Sequence, residues 1–154
     1  MRIATVDGNG RVGRTWLRVG LVQLIAVETV VGGWQYLAPR SFYDDFPTVR
    51  LDPPFNEHLM SDIGGLNLAL TAVLVFAAVT LEHRVVLAAL TGFAVYAVTH
   101  FAFHLLHFEA FSLRDAVSVG AGLGVEVVLT FALLALTWHV SRRRPAACAT
   151  PTTP

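Results

Sequence analysis

An all-α fold is what this sequence predicts: a bundle of four transmembrane helices, both termini cytoplasmic, with an outer capping loop. Three observations carry the prediction. The 154 residues are 55% hydrophobic and only 14% charged, with a mean hydropathy of +0.59, whereas an average soluble domain is roughly 25% charged. The apolar residues gather in four segments, each near or above the ~20 residues that cross a ~30 Å hydrocarbon core as a helix. The arginines are distributed unevenly about those segments. This balance excludes a disordered chain, a broadly basic nucleic-acid module and most soluble enzymes. The lipid bilayer is the expected partner and nucleic acid is not.

The first span covers residues 17–38. It is too long for a signal peptide, it contains Glu28, and Leu37-Ala38 runs directly into Pro39 without an A-x-A cleavage pattern, so it reads as a retained span. The others cover residues 63–81, 85–108 and 116–140. None alternates apolar and polar residues as barrel strands do, and backbone groups in lipid must bond within their own helix. Residues 1–16 form a cytoplasmic N-terminal segment, 17–140 the membrane domain and 141–154 a disordered cytoplasmic tail.

Orientation follows from arginine. Every basic residue is Arg, and eight of the 11 (Arg2, Arg11, Arg14, Arg18, Arg84, Arg142, Arg143 and Arg144) fall on one side of the spans. The positive-inside rule puts that side, with both termini, in the cytoplasm of a plasma-membrane protein. Trp16, Trp34, Tyr36 and Trp138 sit near span ends, as interfacial aromatics do. The connection 39–62 mixes aromatic, proline and acidic residues instead of the Gly/Ser of a flexible linker, and it is expected to fold over the outer end. The single cysteine, Cys148, permits no internal disulfide or thiol pair.

Candidate site residues follow from polar groups inside apolar helices. Tyr96, His100, His104 and His107, spaced four, four and three apart, share one face of the third span. His58 and Asp62, four apart with Glu57 adjacent, stand at the outer entrance of the second. Together these residues suit several chemistries. His100, His104, His107 and His58 are candidate metal ligands for Zn, Cu or Fe, and two histidines could hold a haem. His104, His100 and Asp62 are the candidate acid/base residues, with His58, His107, Tyr96 and Glu57 binding a lipid-soluble small molecule. The stripe also reads as interhelical hydrogen bonding alone. No H-E-x-x-H, Glu-x-x-His or Gly-x-Ser-x-Gly pattern supports a particular enzyme class.

Glu28 and Glu126 lie near mid-span with no basic residue at matching depth. An ionised carboxylate there costs several kcal/mol, on the order of the cost of burying any unpaired charge. Both are therefore read as proton-bearing, either at a working proton site or in neutral hydrogen bonds to Gln23, Gln35 or Thr130. Gly32-Gly33, Gly64-Gly65 and Gly120-x-Gly122-x-Gly124 read as close-packing surfaces.

Three stretches carry a resemblance. Residues 33–47 read Gly-Trp-Gln-Tyr-Leu-Ala-Pro-Arg-Ser-Phe-Tyr-Asp-Asp-Phe-Pro. They are followed by Phe55-Asn56-Glu57-His58-Leu59 with Asp62-x-Gly64-Gly65-Leu66, and by His100-Phe-x-Phe-His104-x-x-His107. Over residues 12–140 the chain resembles a group of small, uncharacterised four-span membrane proteins of actinobacteria. Through the Asp-x-Gly-Gly at the end of its outer loop it is distantly similar to the DoxX-like superfamily. That resemblance implies a four-helix membrane fold. Some DoxX-like proteins are linked to thiosulfate or quinone redox chemistry, but no catalytic motif of theirs maps onto this chain. Three functions stay open: a His/Asp site for a metal or lipid-soluble molecule, an accessory subunit of a membrane complex or homo-oligomer, and a proton-coupled carrier using Glu28 and Glu126.

Overall fold

Helix α1 runs from Ala4 to Leu37 without a break, so residues 4–16 continue the helix of the first span. The computed structural model of the chain describes residues 4–51 and 54–142, with side-chain surroundings for 10–51 and 54–140. The expected tail beyond Arg142 lies outside the described residues. Helix α2 (Pro39–Asp45) and a single 3-10 turn (Val49–Leu51) form the first connection. Helices α3 (Glu57–Thr80), α4 (His83–Leu106) and α5 (Leu113–Arg142) complete the chain. Among the described residues, four helices are long and apolar enough to cross a membrane: Gly10–Leu37, Glu57–Thr80, His83–Leu106 and Leu113–Val140. The protein is a helical membrane protein.

Helix α3 begins six residues before the apolar run does. The cause is local: the Asn56 side chain accepts from the Leu59 amide at 3.1 Å and caps the first turn, and Glu57 favours the positive end of the helix dipole. His58 and Asp62 therefore belong to a helix, not to a loop. At its other end α3 stops at Leu81, whose φ of 47° is left-handed. Leucine tolerates this costly conformation because its side chain is 8% exposed, buried in the apolar core. The guanidinium of Arg18 donates from Nε to the Ala78 carbonyl at 3.2 Å, satisfying one of the orphan acceptors of the helix end.

The spanning helices follow chain order around the bundle, with α1 beside α3, α3 beside α4, α4 beside α5 and α5 back against α1. The α1/α3 and α4/α5 contacts are the most extensive, so the bundle is two tight pairs meeting along a seam. Glycine sets the first pair's intimacy. A Cβ on Gly64 would lie 2.6 Å from the Tyr36 backbone nitrogen, and one on Gly32 would lie 2.7 Å from Asn67 Cβ. Lipid tails are as apolar as leucine, so such close van der Waals contact, not hydrophobic transfer, drives helix association here.

The seam is closed at the end that carries Arg14, Arg18 and the Leu81–Glu82 turn, the arginine end. There Leu133 of α5 seats on Gly20 and Val140 on Gly13. Leu21, Val86, Leu90 and Phe93 are fully buried. Towards the opposite, loop end, burial is lost on one side of the seam. No residue of α4 after Ala97 and none of α5 from Leu113 to Leu129 is buried, whereas Thr130, Leu133 and Thr137 are.

The described part of the connection, residues 38–51 and 54–56, is aromatic. Trp34 meets Phe42 and Phe46 edge-on, with ring centroids 5.6 and 6.1 Å away, and its indole Nε1 donates to Ser41 Oγ at 3.1 Å. Trp34 is thus turned into this cluster, unlike Trp16, Tyr36 and Trp138, which face outwards as interfacial aromatics. Arg40 Nε donates to Asp44 at 2.7 Å, and this bond raises the guanidinium pKa further above its ordinary value. The Arg40 guanidinium also covers the Phe55 ring at 5.1 Å.

Candidate functional site

At mid-span the seam is polar. Antiparallel register brings Glu28 of α1 level with Glu126 of α5. The same register, counted along the two helices, pairs Gly20 with Leu133 and Gly13 with Val140. The two carboxyl groups come within side-chain hydrogen-bonding reach of one another. Glu28 is 3% exposed, and Glu126 is half-buried. Two bare carboxylates in an apolar interior repel and lack donors, and with both ionised Glu28 Oε2 is buried without a hydrogen-bond partner among the described residues. One shared proton turns that repulsion into a hydrogen bond, as in other carboxyl dyads.

The other two helices complete the cluster. Tyr96 of α4 lies in side-chain reach of Asn67 and close enough to Glu28 and Glu126 to feel their charge. Asn67 of α3 is fully buried, and its amide Nδ2 donates to Gln35 Oε1 at 3.0 Å. Every spanning helix thus contributes a polar side chain to this stretch of the bundle, Glu28, Asn67, Tyr96 and Glu126 among them. Of the partners expected for the two acids, Gln35 bonds Asn67 instead. Thr130 donates to the Glu126 backbone carbonyl at 2.8 Å, the usual way a membrane threonine satisfies itself. Gln23 is exposed.

The histidine stripe divides. Tyr96, His100 and His104 form a column along α4, with ring centroids 5.5 Å apart at Tyr96–His100 and 4.9 Å apart at His100–His104. His100 and His104 are half-buried. Phe111, from the α4–α5 connection, meets His104 edge-on at 6.4 Å. His107 is exposed. It stacks on Phe103 at 4.2 Å, with Nδ1 2.7 Å from the Phe103 carbonyl oxygen.

His58 and Asp62 pair with each other, Nε2 to Oδ2 at 3.3 Å, with side chains 88% and 64% exposed. Glu57 is exposed beside them. His58, His100, His104 and His107, expected as ligands of one ion, are distributed over three places: His58 with Asp62, His100 with His104, and His107 on Phe103. Among the described residues no three His, Cys, Asp or Glu side chains form a group that could hold a metal. Helix α3 turns the His58/Asp62 face outwards because Gly64 and Asn67, which must face α1, fix its rotation.

Asn67 was not singled out by the sequence reading. Its signal was present: it is an amide in the middle of an otherwise apolar span, and such groups almost always face a partner helix. No protein-family model, curated protein or solved structure matches this chain.

Proposed function

We propose that this is a proton-coupled integral membrane protein whose working element is the carboxyl pair Glu28/Glu126, held between the two helix pairs of the bundle. The observation that carries the proposal is the meeting of two acids from different helices, at mid-span, with no arginine at that depth. A purely structural polar contact would be served by one acid and an amide. Two acids hold an exchangeable proton, and Tyr96 and Asn67 supply further hydrogen bonds as that proton comes and goes.

Infrared difference spectroscopy of the full chain in lipid tests this. At neutral pH the wild type should show the carbonyl band of a protonated carboxylic acid, and Glu28→Gln or Glu126→Gln should each remove its pH response while leaving helical content intact. Absence of a protonated carboxyl at neutral pH would overturn the reading.

We further propose that the arginine end faces the cytoplasm of the plasma membrane and that residues 39–62 cap the outer end. The arginine count supports the first, and the packing of α2 against α1 and α3 supports the second. In a Cys148→Ser background, Glu57→Cys should react with an impermeant thiol reagent on intact cells. Labelling that requires lysis would reverse the orientation.

A further inference from the structure

We infer that the Glu28/Glu126 pair exchanges its proton with one side of the membrane only, the loop end, by way of His100 and His104. The inference rests on the carboxyl-pair reading and adds a direction to it.

Two independent observations set that direction. The first is the asymmetry of burial. Between the pair and the arginine end the seam is filled by Leu21, Leu90, Phe93 and Leu133, each 0–4% exposed, with Leu133 pressed onto Gly20. Close-packed aliphatic and aromatic side chains leave no room for a file of water. Between the pair and the loop end, α4 and α5 carry no buried residue beyond Ala97 and before Thr130. Glu126 itself is half-buried, while Glu28 is 3% exposed.

The second observation is chemical. The open half carries groups that accept and release protons in sequence. Tyr96 is beside the pair, His100 is next along α4 and His104 follows, at ring separations that one water spans. An imidazole takes a proton on one nitrogen and gives one up from the other, so two neighbouring imidazoles pass a proton without net change. The buried polar groups of α3 here are Asn67 and Thr71, neither of which titrates, and the Thr71 hydroxyl donates to the Asn67 carbonyl at 2.8 Å. The closed half contributes Thr130 and Thr137, both committed to their own helix backbone at 2.8 and 2.7 Å; its titratable and charged groups His83 of α4 and Arg14 of α1 line a small cavity at the arginine end with Leu17 and Val86, and Leu21, Leu90, Phe93 and Leu133 stand between that cavity and the pair.

The site is therefore a one-sided well. As it stands it reports or stores the proton activity of one compartment. Passage to the other would require the Leu133/Gly20 contact to part.

The test uses the full chain in sealed vesicles, with orientation scored by the Glu57→Cys label. A hydrophobic carbodiimide is the probe. It adds to a protonated carboxyl in apolar surroundings and leaves a stable acylurea, read by mass spectrometry at Glu28 or Glu126. Labelling should fall when pH is raised on the loop side and stay constant when it is raised on the arginine side. His100→Phe should slow the response to a loop-side pH step by about tenfold or more, and His100→Gln, which keeps a polar side chain but cannot relay a proton, should do the same. A response to arginine-side pH overturns the one-sided assignment. So does an unchanged rate in both His100 variants, which would remove the histidine route. If labelling ignores pH even in symmetric buffers, the carboxyl-pair reading itself fails.

Discussion

Gly64→Ala should destabilise the protein by about 3 kcal/mol, the upper part of the range for forcing an extra methyl into a filled contact. The added Cβ would sit 2.6 Å from the Tyr36 backbone nitrogen, 2.9 Å from Gln35 Cβ and 2.9 Å from the Gly32 carbonyl oxygen. Two of those three atoms are backbone and cannot swing aside, so α1 and α3 must separate. Separation would also stretch the Gln35–Asn67 hydrogen bond one turn away. The neighbouring Gly65→Ala is the control, because its Cβ would meet only the edge of the Tyr36 ring at 3.9 Å, an ordinary contact. Unfolding of both variants in detergent checks the difference. Equal stability for the two would mean that α1 and α3 are not held at this distance.

Gln35→Leu should cost roughly 1–2 kcal/mol, the range for leaving one member of an interhelical hydrogen bond buried and unpaired. Asn67 is fully buried, and without the Gln35 oxygen its amide nitrogen has lost its acceptor. Adding Asn67→Leu should recover part of the loss, since removing both partners leaves no orphan between the helices. A double-mutant cycle reads the coupling directly. A single variant as stable as wild type would show that this bond contributes nothing to holding the first pair together.

The spans were legible in the sequence because an apolar run long enough to cross lipid has few alternatives. Their ends were less so. Residues 57–62 read as loop because they are polar, yet Asn56 is a helix cap and Glu57 a favourable first-turn acid. Glu28 and Glu126 were legible one at a time. Their meeting was not, because register between two helices nearly a hundred residues apart is set by which glycines admit which side chains, as Gly20 admits Leu133, and no periodicity records that. The facing of His58 and Asp62 failed for a related reason. Beyond its first two turns helix α3 is apolar on every face but the one that carries Asn67, so the sequence offers a single amide from which to read its inner face. The rotation is decided by Gly64 and Asn67, the two residues that fit against α1.

The unequal reach of the helices makes bilayer thickness a mechanical input to this protein. The spans Gly10–Leu37 and Leu113–Val140 have 28 residues each, against 24 for Glu57–Thr80 and for His83–Leu106. At 1.5 Å per residue that is ~42 Å beside ~36 Å, all longer than a ~30 Å hydrocarbon layer. In a thin membrane the long helices must lean or the lipid must stretch locally, at a cost of fractions of a kcal/mol per Å. Because α1 is locked to α3 by Gly32 and Gly64, it cannot lean alone, and the pair tilts as one plank against the pair formed by α4 and α5. Lipid chain length is thereby transmitted to the angle between the two planks.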